Sequence, residues 1–174
     1  MTFIFTIFII FIAIAFLIKK KYSFFIGTVI AYISYLLFLF VQYKLNFQIN
    51  RYIILLVLLT ILGHLLIGEY FNFYNKTKYY DRFLHVLGAF AFSLFSYSII
   101  SKIIMPNNSS KIYISIFVAA IGISLGVFLE ILEFILDISR KKNNQKGLKD
   151  TNFDLISNVI GSTLAGVFSL FIIF

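Results

Sequence analysis

Apolar residues run almost unbroken over about 3–18, 23–41, 52–68, 83–104, 112–137 and 153–174, with short polar stretches between them. A hydrocarbon core of ~30 Å is crossed by about 20 residues of helix. Each run therefore has the length of a membrane span rather than of a soluble amphipathic stripe. Inside a bilayer every span must satisfy its own backbone, so helices or a closed barrel remain. The short alternating segments of a barrel are absent. The pattern predicts an all-α, polytopic membrane protein, a bundle of six transmembrane helices. Pro106, the only proline, falls in a turn at 105–110 between the fourth and fifth helices. No linker or low-complexity tract divides the chain. It reads as one transmembrane domain, with two anchoring helices over 1–51 and a four-helix core over 52–174 that carries the polar residues.

Composition agrees. Apolar residues make up 61% of the 174 positions and charged residues 13%, about half the charge of a soluble domain. Cysteine is absent, which excludes disulfides, thiolate nucleophiles and cysteine metal sites. The net charge of +8 would suggest nucleic acid as a partner in a soluble chain. Here the bases sit in short loops and read as topology signals, so the expected partner is membrane lipid and not nucleic acid. Lys19, Lys20, Lys21, Lys76, Lys78, Arg82, Arg140, Lys141, Lys142, Lys146 and Lys149 lie in the first, third and fifth loops. Only Lys44, Arg51, Lys102 and Lys111 lie on the other side. That bias puts the odd loops in the cytoplasm and both termini outside. Richness in Phe, Ile, Lys and Asn points to an AT-rich bacterial source, hence to a bacterial inner membrane. The first span lacks a basic leader and a small-residue cleavage site and ends in three lysines, so it reads as a retained helix rather than a signal peptide.

The acids are placed unevenly. None occurs in the first 68 residues, and all seven, Glu69, Asp81, Glu130, Glu133, Asp137, Asp150 and Asp154, fall at the ends of helices three to six that share one membrane face. His64 and His85 sit near the same ends. Glu130, Glu133 and Asp137 share a helical face with Gly122 and Gly126. Asp150, Asp154 and Asn158 are spaced four apart and lead to Gly161 and Ala165, and Asp81 and His85 are four apart with Gly88 below. Small residues let membrane helices approach closely, so these polar groups are expected to face one another inside the bundle.

Ordinary explanations cover some of them. Asp81, Asp137 and Asp150 read first as interfacial caps or partners of Arg and Lys. Glu69 reads as a solvated loop residue, and His64 as a satisfied core histidine. Tyr70, Tyr74, Tyr79 and Tyr80 read as an interfacial belt. Glu130 is harder to dismiss, because it lies about two turns inside the Asp137 level, where an acid costs on the order of 3 kcal/mol. His85, His64, Asp154 and Asn158 are its available partners.

Several of these motifs resemble a known family. The segment from His64 to Gly88 with Tyr80-Asp81-Arg82-Phe83-Leu84-His85, then Glu130-Ile131-Leu132-Glu133-Phe134, Asp137 and Gly147-Leu148-Lys149-Asp150-Thr151, resembles the YjdF-like bacterial inner-membrane proteins, a domain of unknown function. The closing Asp154-Leu155-Ile156-Ser157-Asn158-Val159-Ile160-Gly161 is also similar, more loosely, to the VanZ-like proteins known for teicoplanin resistance, which usually carry Gln where Glu133 stands. The resemblance covers about 60–166. It implies a fold and no particular reaction.

Three functions compete. The first is an intramembrane enzyme acting on a lipid or lipid-linked substrate near the cytoplasmic face. Carboxylates and imidazole without thiols suit Mg²⁺, Mn²⁺ or Zn²⁺. Glu130, Glu133, His85 and Asp154 are the candidate ligands, and Glu130, His85 and Asp154 the candidate catalytic groups. Asn158 would support them by hydrogen bonding, and Arg82, Lys146 and Lys149 would hold a phosphate. The second is a membrane scaffold or envelope-stress protein, although interhelical polar contacts contribute only about 0.6 kcal/mol each. The third is an ion- or proton-coupled transporter, which needs a polar route through the apolar outer halves of helices three, five and six.

Overall fold

The computed structural model describes residues 2–103, 110–140 and 145–171. Among these every regular element is a helix: α1 (Thr2–Ile18), α2 (Tyr22–Lys44), α3 (Arg51–Leu62), a π-helical turn continuing it (Gly63–Tyr70), α4 (Phe73–Lys76), α5 (Lys78–Ile103), α6 (Lys111–Arg140) and α7 (Leu148–Ser169). The all-α, membrane-type architecture expected from the apolar runs is therefore what the chain adopts. Four segments are long and apolar enough to cross a bilayer: α2, α3 with its π turn, α5 and α6. The expected number was six. Of the other two segments, α1 is apolar but has 17 residues, and α7 begins at Leu148, so its first turns take in Lys149, Asp150 and Asp154. The expected turn at 105–110 lies outside the described residues except for Ser110, whose Oγ accepts from the amide of Tyr113 at 3.2 Å and caps α6. Lys141, Lys142 and the last residues of the sixth span also lie outside them.

The chain divides into two compact units, Met1–Tyr80 and Asp81–Phe174. In the first, α1 buries Phe5, Ile9, Ile12 and Phe16, spaced four and three apart so that they share a face. Phe5 meets Tyr35 of α2 edge to face at 5.0 Å, and Phe16 meets Phe24 at 5.6 Å. Two hydroxyl pairs, Thr2 with Tyr35 and Thr6 with Tyr32, join the same helices at 2.8 and 3.0 Å. The remaining faces are apolar and exposed, with Phe3, Ile7, Phe11, Ile26, Ile30 and Ile33 among them. An apolar surface of that extent is suited to lipid and not to water.

Asn50 starts α3 by accepting from the amide of Tyr52 at 2.9 Å. From Gly63 the helix widens into the π turn. The Tyr74 ring packs against Gly68, where any Cβ would meet its ring carbons, and the Tyr80 hydroxyl donates to the Gly63 carbonyl at 2.8 Å. Asn72 takes the left-handed conformation (φ 61°) that lets the chain reverse into α4. No apolar run announces α4, and Glu69 lies half-buried in the π turn rather than in a loop. Lys19, at the end of α1, stands 3.6 Å over the Tyr70 ring, and Lys21 donates to the Glu69 carbonyl at 3.2 Å.

The second unit is built on small residues. A side chain at Gly122 of α6 would run into Ser93 of α5 and Ser162 of α7. One at Gly126 would stand 2.6 Å from the Cβ of Asn158, and one at Gly161 would strike the carbonyl of Val86. The glycines singled out on α6 and α7 are thus the points of closest helix approach. The buried face of α7 carries Asp154, Ser157, Asn158, Gly161, Ser162, Ala165, Gly166 and Ser169, while Ile156, Ile160, Leu164 and Val167 are exposed. This is the reverse of a soluble helix. The serines cost little to bury, because Ser157, Ser162 and Ser98 donate to carbonyls of their own helices at 2.8, 2.7 and 2.6 Å.

Candidate metal centre

The polar groups of the second unit converge at the start of α5, on the C-terminal third of α6 and in the first turns of α7. Asp81 and His85 are one turn apart on α5, with His85 Nε2 3.6 Å from Asp81 Oδ1. The other ring nitrogen, Nδ1, lies 3.2 Å from Asn158 Oδ1 and 3.9 Å from Glu130 Oε1. Asn158 reaches this position because residue 126, one turn before Glu130, is glycine. Asn158 Oδ1 can only accept, so the 3.2 Å contact puts the ring proton on Nδ1 and leaves Nε2, beside Asp81, with the lone pair that a cation needs.

Glu130 is held from a second direction. The Gln145 side chain donates from Nε2 to the Glu130 carbonyl at 2.9 Å and to its Oε2 at 3.3 Å, while the Gln145 amide donates to Asp137 Oδ2 at 2.9 Å. Gln145 therefore clasps the end of α6 and leaves Glu130 Oε1 on the inner side. Among the described residues, that oxygen, Asp154 Oδ1 and Asn158 Nδ2 are buried and have no hydrogen-bond partner. Their residues are 4%, 5% and 3% exposed. Buried polar atoms are nearly always paired, so three such atoms around one histidine set this cluster apart.

One donor atom from each of His85, Glu130 and Asp154 lies within 4.8 Å of the others. Ligands on a cation with bonds of ~2.1 Å stand roughly 3–4 Å apart, so a small inward movement of the side chains completes a site. Asp81, Asp150 and Asp154 form a second group within the same limit.

The structure brings together Asp81, His85, Glu130, Asp150, Asp154 and Asn158, all named from the sequence. Glu133, expected as a fourth ligand, is half-buried one turn beyond Glu130 and belongs to neither donor group. Asp137 serves the Gln145 clasp. Arg82 places its guanidinium 3.9 Å over the Phe153 ring, a cation–π contact between α5 and α7. His64 lies in the first unit, where its Nδ1 is 2.6 Å from the Tyr74 hydroxyl. Gln145 was missed; only its position among the bases of a short loop set it apart.

A family model described as "Predicted membrane protein (DUF2238)" matches residues 1–173, including the first two helices, which carry none of the motifs. The YjdF-like resemblance fits this match, whereas the VanZ-like one rests on its motifs alone. An uncharacterized protein of Thermotoga maritima is 36% identical over 100 residues, 56% of this chain and 51% of the relative. The chain thus spans about half the length of the curated relative it matches. No solved structure matches it.

Proposed function

The chain belongs to this family of predicted membrane proteins, and we propose that it is a bacterial inner-membrane enzyme in which His85, Glu130 and Asp154 hold a divalent cation for chemistry on a lipid or lipid-linked substrate. The observation that carries this reading is the pair of buried, unpartnered oxygens, Glu130 Oε1 and Asp154 Oδ1, that share a donor group with His85. Leaving one buried acceptor unsatisfied costs about 1–3 kcal/mol, and more for a charged group. A cluster kept only for helix packing gains nothing from that cost, whereas a bound cation removes it. The donor set suits Mg²⁺, Mn²⁺ or Zn²⁺.

When bound, such an ion polarises a phosphoryl or carbonyl oxygen and makes water a stronger nucleophile. The chain's own residues set the geometry: Asn158 orients the His85 ring, and Gln145 fixes Glu130. Lys146 and Lys149, beside the start of α7, supply positive charge for a phosphate. Leu148, Phe153 and Ile156 form a shallow, open apolar surface on α7 beside Lys149, the kind of contact a lipid chain requires. The bias of bases toward odd loops supports a site in the cytoplasmic leaflet with both termini outside.

The test is metal content of the full-length protein in detergent after exposure to each ion. At least one equivalent is expected, with affinity reduced more than tenfold in His85→Ala, Glu130→Gln and Asp154→Asn. A native chain that retains none of the three ions overturns the proposal.

A further inference from the structure

The two donor groups meet at one residue. His85, Glu130 and Asp154 form the first, Asp81, Asp150 and Asp154 the second, and each is confined within 4.8 Å. They are also joined through the imidazole, whose Nδ1 faces Glu130 at 3.9 Å while its Nε2 faces Asp81 at 3.6 Å. We propose that the site holds two divalent cations bridged by the Asp154 carboxylate, one on His85 and Glu130 and the other on Asp81 and Asp150. The proposal rests on the metal-site reading above and extends it from one ion to two.

Charge and geometry both favour the pair. Asp81, Glu130, Asp150 and Asp154 bring four carboxylates to one end of the unit. One dication matches two of those charges and leaves the others to Arg82 and Lys146, whereas two match all four. A carboxylate that bridges uses both its oxygens, and Asp154, 5% exposed, has one oxygen buried without a partner. Asp81 and Asp150 are less buried than Asp154, so the second cation sits nearer the rim, where Lys146 and Lys149 lie in sequence. Two cations ~3.5–4 Å apart clamp the attacking and leaving oxygens in displacement at phosphorus. Together with the positive charge of Lys146 and Lys149, such a pair points to a phosphate-bearing lipid as the substrate class.

Manganese is the probe. Full-length protein in detergent is equilibrated with Mn²⁺, bound metal is counted, and its electron paramagnetic resonance is recorded. Two ions per chain with an exchange-coupled spectrum are expected, falling to one uncoupled ion in Asp150→Asn and Asp81→Asn. One ion per chain in the native protein overturns the bridged pair and leaves the single-site reading standing. Two ions giving only the six-line signal of isolated Mn²⁺ also overturn the bridge. No bound metal overturns both. The native spectrum decides the matter even where a variant fails to fold.

Discussion

His85 Nδ1 and Asn158 Oδ1, 73 residues apart in sequence, stand 3.2 Å from each other across α5 and α7. The amide fixes the plane of the imidazole, and its own Nδ2 is buried without a partner. Replacing Asn158 by Ala removes that contact without adding bulk beside Gly126 and frees the ring. Metal affinity is expected to fall ~10–100-fold, as for other residues that orient a ligand. Titration with Mn²⁺ or Zn²⁺ checks this, and an unchanged affinity removes Asn158 from the site.

The Gln145 clasp makes a separate prediction. Gln145→Ala removes the bonds to the Glu130 carbonyl and carboxylate while leaving the backbone donation to Asp137. A several-fold loss of metal affinity is expected with little change in the detergent melting temperature. A large drop in melting temperature with unchanged affinity would mean that the clasp serves stability alone.

Packing is tested at the glycines. In Gly161→Ala the new methyl meets the Val86 carbonyl, which cannot rotate away, and a cost of about 1–3 kcal/mol is expected. Gly27 of α2 has nothing within 4 Å of an added Cβ, so Gly27→Ala should leave stability unchanged or slightly raised. Thermal unfolding of both variants in one detergent makes the comparison.

His64 supplies a negative control. It bonds Tyr74 within the first unit, so His64→Ala is expected to leave metal stoichiometry unchanged, whereas His85→Ala loses it. Equal losses in the two variants would draw His64 into the site.

Proton competition is the fourth check on the ligands. Carboxylates and imidazole bind metal only when deprotonated, so binding releases protons and affinity falls as the medium is acidified. Isothermal titration in buffers of different ionisation enthalpy measures that release, and a value of zero contradicts ligation by these groups.

Much of this architecture was legible in the residues. Long apolar runs name membrane helices because a bilayer permits few alternatives. The i, i+4 spacings of Asp81 with His85 and of Asp154 with Asn158 place each pair on one face whatever the helix packs against. The pairing of faces was partly legible too, since Gly122, Gly126 and Gly161 mark where helices come close. Gln145 was not, because a loop residue acquires its role only once the chain has turned back on itself. The π turn at Gly63–Tyr70 was also hidden, as apolar periodicity barely differs between an α-helix and a short π segment. Glu133 shares the spacing of Glu130 but falls outside both donor groups, a difference that spacing alone does not specify.

The polar stripe of α7 also bears on how the protein is made. A segment that buries Asp154, Asn158 and a row of serines against its neighbours is poorly suited to leave the translocon alone, because lipid offers those groups no partner. α6, apolar enough to partition by itself, is synthesised first and presents Gly122 and Gly126 to receive that stripe. The order of the two helices along the chain thus makes the small-residue face of α6 available before the polar stripe of α7 has to be buried against it.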